Sequence, residues 1–155
     1  MNLEYSGREK IAAGLDAVWA FVTDPTSVAS CIPDAIESKL AGTNAADATV
    51  QFSVGPLRGR LTLRITLDPD AAKHHIRIQI AGGSFGSRVD VNAATGVTAV
   101  DAATTALDWN ATVAIRGPVA TVGGRGIIDG QAKRVISETF RNVTTRLASA
   151  PAEAG

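Results

Sequence analysis

Residues 118–147 read PVATVGGRGIIDGQAKRVISETFRNVTTRL, the longest helical pattern in the chain. Gly117-Pro118 is a favourable helix entrance, because proline at the first helical position loses no intrahelical hydrogen bond. Apolar residues recur at helical spacing along one face, and the opposite face is charged. The charged face carries Lys133, Arg134, Glu138, Arg141 and Arg146. The stretch therefore predicts a helix from Pro118 to about Leu147, roughly 45 Å long at about 1.5 Å per residue, with its apolar face against a sheet.

Four glycines interrupt the first half of this pattern, at Gly123, Gly124, Gly126 and Gly130. Each costs on the order of 1 kcal/mol relative to alanine within a helix, so something must compensate. Two interpretations stay open. The glycines allow close packing of the helix on the sheet or break its first turns, or their missing side chains leave room for a flat or elongated ligand beneath the helix.

Before the helix, apolar side chains alternate with polar ones, which is typical of half-buried antiparallel strands. A first strand contains Leu3, Tyr5 and Ile11, and a helical stretch, AVWAFVTDP, follows at 17–25. A second short helix extends from there to about Ser30. Short turns separate the later strands, which favours a meander of hairpins. Their apolar sets are Phe52 and Val54; Leu61, Leu63, Ile65 and Leu67; Ile76, Ile78 and Ile80; Val89, Val91, Ala93, Val97 and Ala99; Leu107, Trp109, Ala111, Val113 and Ile115.

The composition indicates one soluble domain. A chain of 155 residues with 45% apolar and 19% charged residues can bury one substantial core. The 15 basic and 15 acidic side chains cancel, and no basic run is interleaved with aromatics, which argues against nucleic-acid binding. No stretch reaches the roughly 20 apolar residues that span a bilayer, and the N-terminus lacks the features of a signal peptide. We expect a cytoplasmic protein.

Residues that could carry catalysis or bind metal are few. A single cysteine, Cys31, excludes an internal disulfide and is expected to pack as a small buried apolar group. His74 and His75 are neighbours in a predicted strand and point to opposite faces, so they are expected to be exposed strand residues without a shared metal. No nucleophile-elbow, phosphate-loop, zinc-protease or dinucleotide motif is present, and the glycine-rich 82–86 is interpreted as a hairpin.

A curved sheet around a long helix encloses a space, so we expect an apolar cavity. A filled core would explain the same pattern. Arg60, Arg64, Arg88 and Asp90 alternate with apolar residues and are expected on the solvent face of the sheet, where they could also dock a partner. The candidate cavity residues are Trp19, Phe52, Val54, Leu63, Ile65, Ile78, Phe85, Val91, Trp109, Val122, Gly123, Gly126, Ile127 and Phe140.

The order of elements resembles the START-like (SRPBCC) helix-grip superfamily, and local motifs across residues 1–148 resemble the G-subunit family of carbon monoxide dehydrogenase. Two departures concern contacts rather than the fold: Asp34 stands where that family often has glycine, and Arg141 follows Phe140 where a second aromatic is common. The motifs that carry the resemblance are Trp19 to Pro25, Cys31-Ile32-Pro33, Val54-Gly55-Pro56-Leu57-Arg58-Gly59, the Gly83 to Gly86 hairpin, Trp109, and Gly117 through Gly123 with Arg125.

The resemblance implies an α+β helix-grip domain over 1–148, with an antiparallel curved sheet of about seven strands wrapped on the C-terminal helix and two short helices after the first strand. It also implies a non-catalytic accessory protein of a molybdenum hydroxylase such as carbon monoxide dehydrogenase. The family helps to bring this enzyme to the inner face of the cytoplasmic membrane, often through a C-terminal extension. The Ala/Pro-rich 149–155 are expected to begin a linker to such a segment.

Joined with the expected cavity, the resemblance predicts a hydrophobic ligand, most of all a respiratory quinone such as menaquinone, with no covalent cofactor and no metal. Burial of an isoprenoid tail favours binding by roughly 25 cal/mol for each Å² removed from water. Two alternatives stay open. The domain is a closed docking scaffold without a ligand, or it is a cyclase-like or hydrolase-like enzyme of the same superfamily, because fold does not fix function.

Overall fold

The computed structural model describes residues 1–54, 57–84 and 86–148. The strands that it describes form one curved antiparallel sheet in the order β1-β7-β6-β5-β4-β3-β2, and the predicted α+β helix-grip fold is confirmed. The elements are β1 (Asn2–Ile11), α1 (Leu15–Val22), α2 (Pro25–Ser30), β2 (Ala35–Gly42), β3 (Ala45–Val54), β4 (Leu57–Asp70), β5 (His75–Ser84), β6 (Ser87–Asp101), β7 (Thr104–Arg116) and α3 (Pro118–Ala148).

The sheet is a meander with its first strand added at one edge. Strands β2 to β7 pair with their neighbours in sequence, and β7 also pairs with β1, where Gly7 lies opposite Trp109. Because the apolar side chains occupy every second position, they share the concave face. Leu63, Ile65 and Leu67 of β4 are buried there beneath the helices.

The core is divided into two clusters. The larger contains Val18 of α1, Cys31 after α2, and Ile65, and it reaches the last turns of α3. The smaller surrounds Ile115 and Ile128 near the start of α3. Since a domain of this size usually has one contiguous core with small satellites, the division marks a place where helix and sheet stand apart.

The long helix α3 begins at Pro118 as predicted, but it is not continuous. Gly124 has φ 69° and ψ 165°, a conformation that is essentially restricted to glycine, and it breaks the helix there. Gly126 and Gly130 are exposed, and a Cβ at either would meet nothing within 4 Å. The broken-helix interpretation therefore accounts for Gly124, and neither close packing nor a ligand accounts for Gly126 and Gly130.

The entrance to α3 is held against the β5–β6 hairpin. Gly117 has φ 91°, and a Cβ there would collide with the carbonyl oxygen of Gly86. The backbone N–H of Val119 donates to Oγ of the buried Ser87 at 2.9 Å, which satisfies one of the free donors of the first helical turn. This contact fixes the start of α3 over β6.

The prediction for the histidine pair was wrong for His74. It lies in the turn before β5 with φ 49°, and its ring packs edge-on to Trp19 with centroids 5.1 Å apart. Both histidines are half-buried, because the turn folds back toward α1. No helix within the described residues combines the length and apolar character that crossing a bilayer requires.

Candidate functional site

A cavity of about 390 Å³ lies between α3 and the concave face of the sheet. It borders on both core clusters: Leu63 and Val143 belong to one, and Ile115 and Ile128 to the other. Its volume is near the lower end of the roughly 300–1,000 Å³ of small-molecule sites. The gap between the clusters is therefore large enough for a ligand and is walled mainly by apolar side chains.

Six of the fourteen candidate residues line this cavity. Five of them lie on strands and one lies on α3. Alternate residues of a strand share one face of the sheet, so the apolar residues of neighbouring strands line the same space. The set comprises Phe52 on β3, Leu63 on β4, Ile78 on β5, Val91 on β6, Trp109 on β7 and Phe140 on α3.

Four candidates lie elsewhere. Trp19 packs edge-on to His74 and against the larger core cluster, and Ile65 is fully buried within that cluster rather than at the cavity surface. Gly126 is exposed, and Ile127 is 51% exposed. The break in α3 changes the helical phase, so Ile128 rather than Ile127 faces the sheet.

The remaining four candidates are outside what the structure describes. They are Phe85, Val54, Val122 and Gly123. The structure does not describe Phe85, and it does not describe the side-chain surroundings of the other three. Several lining residues are not among the fourteen candidates. Ala93 and Ala111 are small residues on the predicted apolar faces of their strands. Val28 lies in the short helix α2, and Ile32 lies just after it. The strand alternation indicates the two alanines, but a small side chain gives little signal of a ligand site.

One wall of the cavity is an aromatic pair. The rings of Trp109 and Phe140 lie 5.4 Å apart between centroids with an interplanar angle of 38°. Both residues also line a surface groove of about 570 Å³ between β1 and α3, together with Tyr5 and Lys133. The indole Nε1 of Trp109 is buried and has no hydrogen-bond partner among the described residues. These two rings are thus the partition between the interior cavity and that groove.

A hydrogen bond ties β1 to α3 beside this partition. The Tyr5 hydroxyl donates to Oδ1 of Asp129 at 2.6 Å, and Lys133 pairs with the same carboxylate at 3.1 Å. Burial, with the hydrogen bond to the carboxylate, raises the pKa of Tyr5 to about 12. The hydrogen bonds from Tyr5 and Lys133 lower the pKa of Asp129. A tyrosine with this pKa stays protonated at neutral pH and acts as a structural tie.

The open end of the cavity lies between α3 and the C-terminal end of β3. Asp34, Gln51, Phe52, Gln131 and Arg134 line both the cavity and a basin of about 690 Å³ outside it. We call these five residues the mouth. The N–H of Gln51 donates to the Asp34 carbonyl oxygen at 3.0 Å, which joins the turn before β2 to β3 at this point.

Arg134 crosses the mouth with its whole guanidinium engaged. Nη2 donates to Asp34 at 2.9 Å, Nη1 to Glu138 at 2.6 Å and Nε to Gln131 at 3.2 Å. The hydrogen bond to Asp34 raises the pKa of Arg134 further. Asp34 itself has φ 66°, the left-handed conformation that favours glycine. The ion pair connects α3 to the turn before β2 and is half exposed on both sides.

The chemistry available inside the cavity is limited. No histidine, lysine, tyrosine, cysteine or glutamate belongs to its described lining, and the two charged residues, Asp34 and Arg134, pair at the mouth. Cys31 is buried in the core behind the cavity, and burial raises the pKa of its thiol. Among the residues that the structure describes, no three histidine, cysteine or carboxylate side chains gather to hold a metal ion.

Comparison with known proteins identifies the family of this chain. The family model for CoxG, the G subunit of carbon monoxide dehydrogenase, matches residues 7–148. No curated protein sequence matches the chain.

Among solved structures, a conserved protein from Geobacillus kaustophilus has a TM-score of 0.82 at 21% identity, covering 94% of this chain and 95% of that one. Zhui aromatase/cyclase from Streptomyces sp. R1128 has 0.71 at 17%, covering 100% and 99%. A START superfamily protein from Mycobacterium smegmatis has 0.70 at 12%, covering 94% and 97%. At these identities the structural likeness establishes the fold alone.

Proposed function

The chain belongs to the CoxG family of carbon monoxide dehydrogenase, and from that premise we propose that it is a non-catalytic accessory protein of a molybdenum hydroxylase of the carbon monoxide dehydrogenase type. In this role it binds a hydrophobic ligand in the cavity beneath α3. The ligand is a respiratory quinone such as menaquinone, which the domain presents to the enzyme for electron transfer.

The observation that carries the proposal is the apolar cavity that divides the core. Its interior wall consists of side chains such as Leu63, Ile78 and Val113, which favour a hydrocarbon over water. Burial in such a site contributes roughly 25 cal/mol for each Å² of apolar surface. The volume suits a bicyclic ring with the first part of a chain, so the rest of a long isoprenoid tail would leave through the mouth.

A quinone resides in the bilayer, which connects the ligand to the membrane part of the proposal. The domain works at the inner face of the cytoplasmic membrane and helps to bring the hydroxylase there. We assign this recruitment to a segment that follows residue 148, in keeping with the Ala/Pro-rich composition of 149–155. The cavity then loads close to the lipid phase and unloads at the enzyme.

An enzymatic role of the cyclase or hydrolase type is a second candidate, since the Zhui aromatase/cyclase shares the fold. A catalyst of that type needs proton donors and acceptors that converge on the substrate. The ionisable side chains of the described lining are Asp34 and Arg134, which neutralise each other at the mouth, and the interior polar side chains Ser87, Thr95, Asn110 and Thr139 are hydroxyls and an amide. These observations support the non-catalytic role. A closed docking scaffold is the other alternative, and the cavity volume argues against it.

Native mass spectrometry with organic extraction tests the proposal. The domain is isolated from a host that contains quinone, and a stoichiometric quinone is the expected result. Leu63→Trp fills the cavity from β4 and is expected to remove the ligand. Ile127→Trp, on the exposed side of α3, is the matched control and should retain it. An empty wild-type protein that still binds the hydroxylase would contradict the ligand proposal and favour the scaffold.

A further inference from the structure

Three of the described residues that line the cavity carry hydroxyl groups: Ser87, Thr95 and Thr139. Two of these hydroxyls form good hydrogen bonds within the protein. The Thr139 hydroxyl donates to the carbonyl oxygen of Val135 at 2.6 Å, and the Ser87 hydroxyl accepts the N–H of Val119 at 2.9 Å. Both bonds belong to the structure of α3, which leaves the hydroxyl of Thr95.

The Thr95 hydroxyl is buried without a good partner. The residue is 7% exposed, and its one side-chain hydrogen bond within the described part of the chain goes to the carbonyl oxygen of the adjacent Gly96 at 3.4 Å. Hydrogen bonds from a hydroxyl to an oxygen usually measure about 2.5–3.0 Å, so this contact is long and weak. A buried donor without a strong acceptor costs free energy and calls for an explanation. A ligand with an acceptor oxygen would supply one.

The position of Thr95 brings its hydroxyl beside the aromatic wall of the cavity. Thr95 is directly opposite Trp109 on the neighbouring strand, so the two side chains share the concave face. The indole lies over Gly7 of β1, on the side away from β6, which leaves the space above Thr95 to the cavity. The next residues on this face of β6 are Ala93 and Val97, and neither carries a competing polar group. A ring held against the indole would therefore present its substituents to the Thr95 hydroxyl.

Thr95 and the mouth lie toward opposite ends of β5. Thr95 pairs with Ile76, near the start of β5. Gln51 of the mouth pairs with Arg60 of β4, two residues past the partner of Gly83, which is near the end of β5. The two levels are more than about 20 Å apart at roughly 3.3 Å per residue. A ligand whose tail leaves through the mouth therefore has its head at the Thr95 end.

We propose that Thr95 is the polar anchor of the cavity and donates a hydrogen bond to a carbonyl oxygen of the ligand, whose ring lies against Trp109 and Phe140. The inference rests on the proposed function, in which the ligand is a quinone, and it adds the orientation of that ligand. The quinone ring lies deep in the cavity, and the isoprenoid tail points to the mouth. A hydrocarbon of the same shape has no acceptor for this hydroxyl, so the anchor selects carbonyl compounds.

Isothermal titration calorimetry with a ring-matched pair of probes tests the proposal. The probes are 2-methyl-1,4-naphthoquinone and 2-methylnaphthalene, which share a ring skeleton and differ in the two carbonyl groups. Thr95→Val removes the hydroxyl and keeps the shape of the side chain. It should lower the ratio of quinone affinity to hydrocarbon affinity by about threefold to tenfold, the range of one net hydrogen bond. An unchanged ratio would overturn the proposal.

Two control variants separate the hydroxyl from the side chain. Thr95→Ser keeps the hydroxyl and should keep the ratio. Thr112→Val removes an exposed hydroxyl of β7 that also reaches a carbonyl oxygen at 3.4 Å, that of Asn92, and it should change nothing. The infrared carbonyl stretch of the bound quinone is a second readout, which a purely structural role would not move. It should lie at lower wavenumber in wild type than in Thr95→Val, and equal values would place the carbonyl elsewhere and refute the assignment.

The stability of the empty domain gives a third readout. Thr95→Val should raise its thermal midpoint by about 2–4 °C, because the variant removes a poorly paired buried hydroxyl. A lower midpoint would show that the hydroxyl is satisfied within the protein and would contradict the anchor. Quinone binding that is insensitive to Thr95→Val contradicts the anchor and leaves the quinone proposal intact. A wild-type domain that binds neither probe contradicts both.

Discussion

Gly7 of β1 and Trp109 of β7 are directly opposite each other on neighbouring strands, and the indole lies over the glycine. A Cβ at Gly7 would stand 3.0 Å from Cζ2 and 3.1 Å from Nε1 of Trp109. The missing side chain is what lets the indole lean toward β1. In that position it closes the cavity against the groove between β1 and α3, together with Phe140.

Gly7→Ala should force Trp109 toward the cavity. We expect a loss of about 1–2 kcal/mol in the free energy of unfolding, at the low end of overpacking effects. Gly96→Ala on β6 is the matched control, because a Cβ there meets nothing within 4 Å. It should be neutral or slightly stabilising. Urea unfolding of both variants measures the difference, and equal stabilities would show that the indole yields without cost.

The break in α3 predicts a second contrast between glycines. Gly124→Ala should cost about 1–3 kcal/mol, since the φ and ψ at this position are nearly forbidden to a side chain. Gly130→Ala, at an exposed helical position, should instead stabilise the domain by about 0.4–1 kcal/mol. Thermal unfolding measured by circular dichroism distinguishes them. A stabilising Gly124→Ala would mean that α3 is continuous in solution.

Tyr5 gives a pH prediction that can be measured directly, because it is the only tyrosine in the chain. Its pKa is raised to about 12, compared with an ordinary value of about 10. The neutral form is favoured in the folded state. The corresponding stability is thus complete below about pH 10 and is lost as pH rises toward about 12.

Ultraviolet titration of tyrosinate should show this high midpoint. Asp129→Asn should lower the midpoint, because the carboxylate disfavours a second negative charge and accepts the hydroxyl proton. A wild-type midpoint near the ordinary value would contradict the hydrogen-bonded arrangement.

Asp34 combines a left-handed backbone with an exposed ion pair, and the two can be separated by substitution. Asp34→Gly relieves the backbone strain while it loses the pair, so we expect stability within about 0.5 kcal/mol of wild type. Asp34→Ala loses the pair and keeps the strain, and it should be less stable than the glycine variant by about 1 kcal/mol. Chemical denaturation of the two variants side by side measures this. Equal stabilities would argue against the left-handed conformation.

Much of the fold follows from local pattern. The alternation that includes Leu63, Ile78 and Trp109 specified which face of each strand is buried, and proline at position 118 marked the start of α3. Where the chain breaks a regular pattern, the sequence was less informative. Ile127 and Ile128 are neighbours, and the conformation of Gly124 decides which of them faces the sheet.

The residues predicted an apolar cavity, but they could not decide between a cavity and a filled core. Filled and divided cores use the same apolar side chains, and the difference is the distance between α3 and the sheet. That distance depends on contacts between remote positions, such as Asp34 with Arg134 and Val119 with Ser87. The mouth could not be predicted from the sequence either, because its residues come from a turn, the end of a strand and a helix.

The cavity beneath α3 is proposed to bind one hydrophobic ligand, and Trp109 reports on such binding from the lining. Trp19 lies outside the cavity, so Trp19→Phe leaves Trp109 as the one remaining tryptophan. Titration of this variant with a short-chain menaquinone should quench the fluorescence of Trp109 saturably, with one ligand per protein. Quenching that rises in proportion to added quinone without saturation would contradict the proposed site.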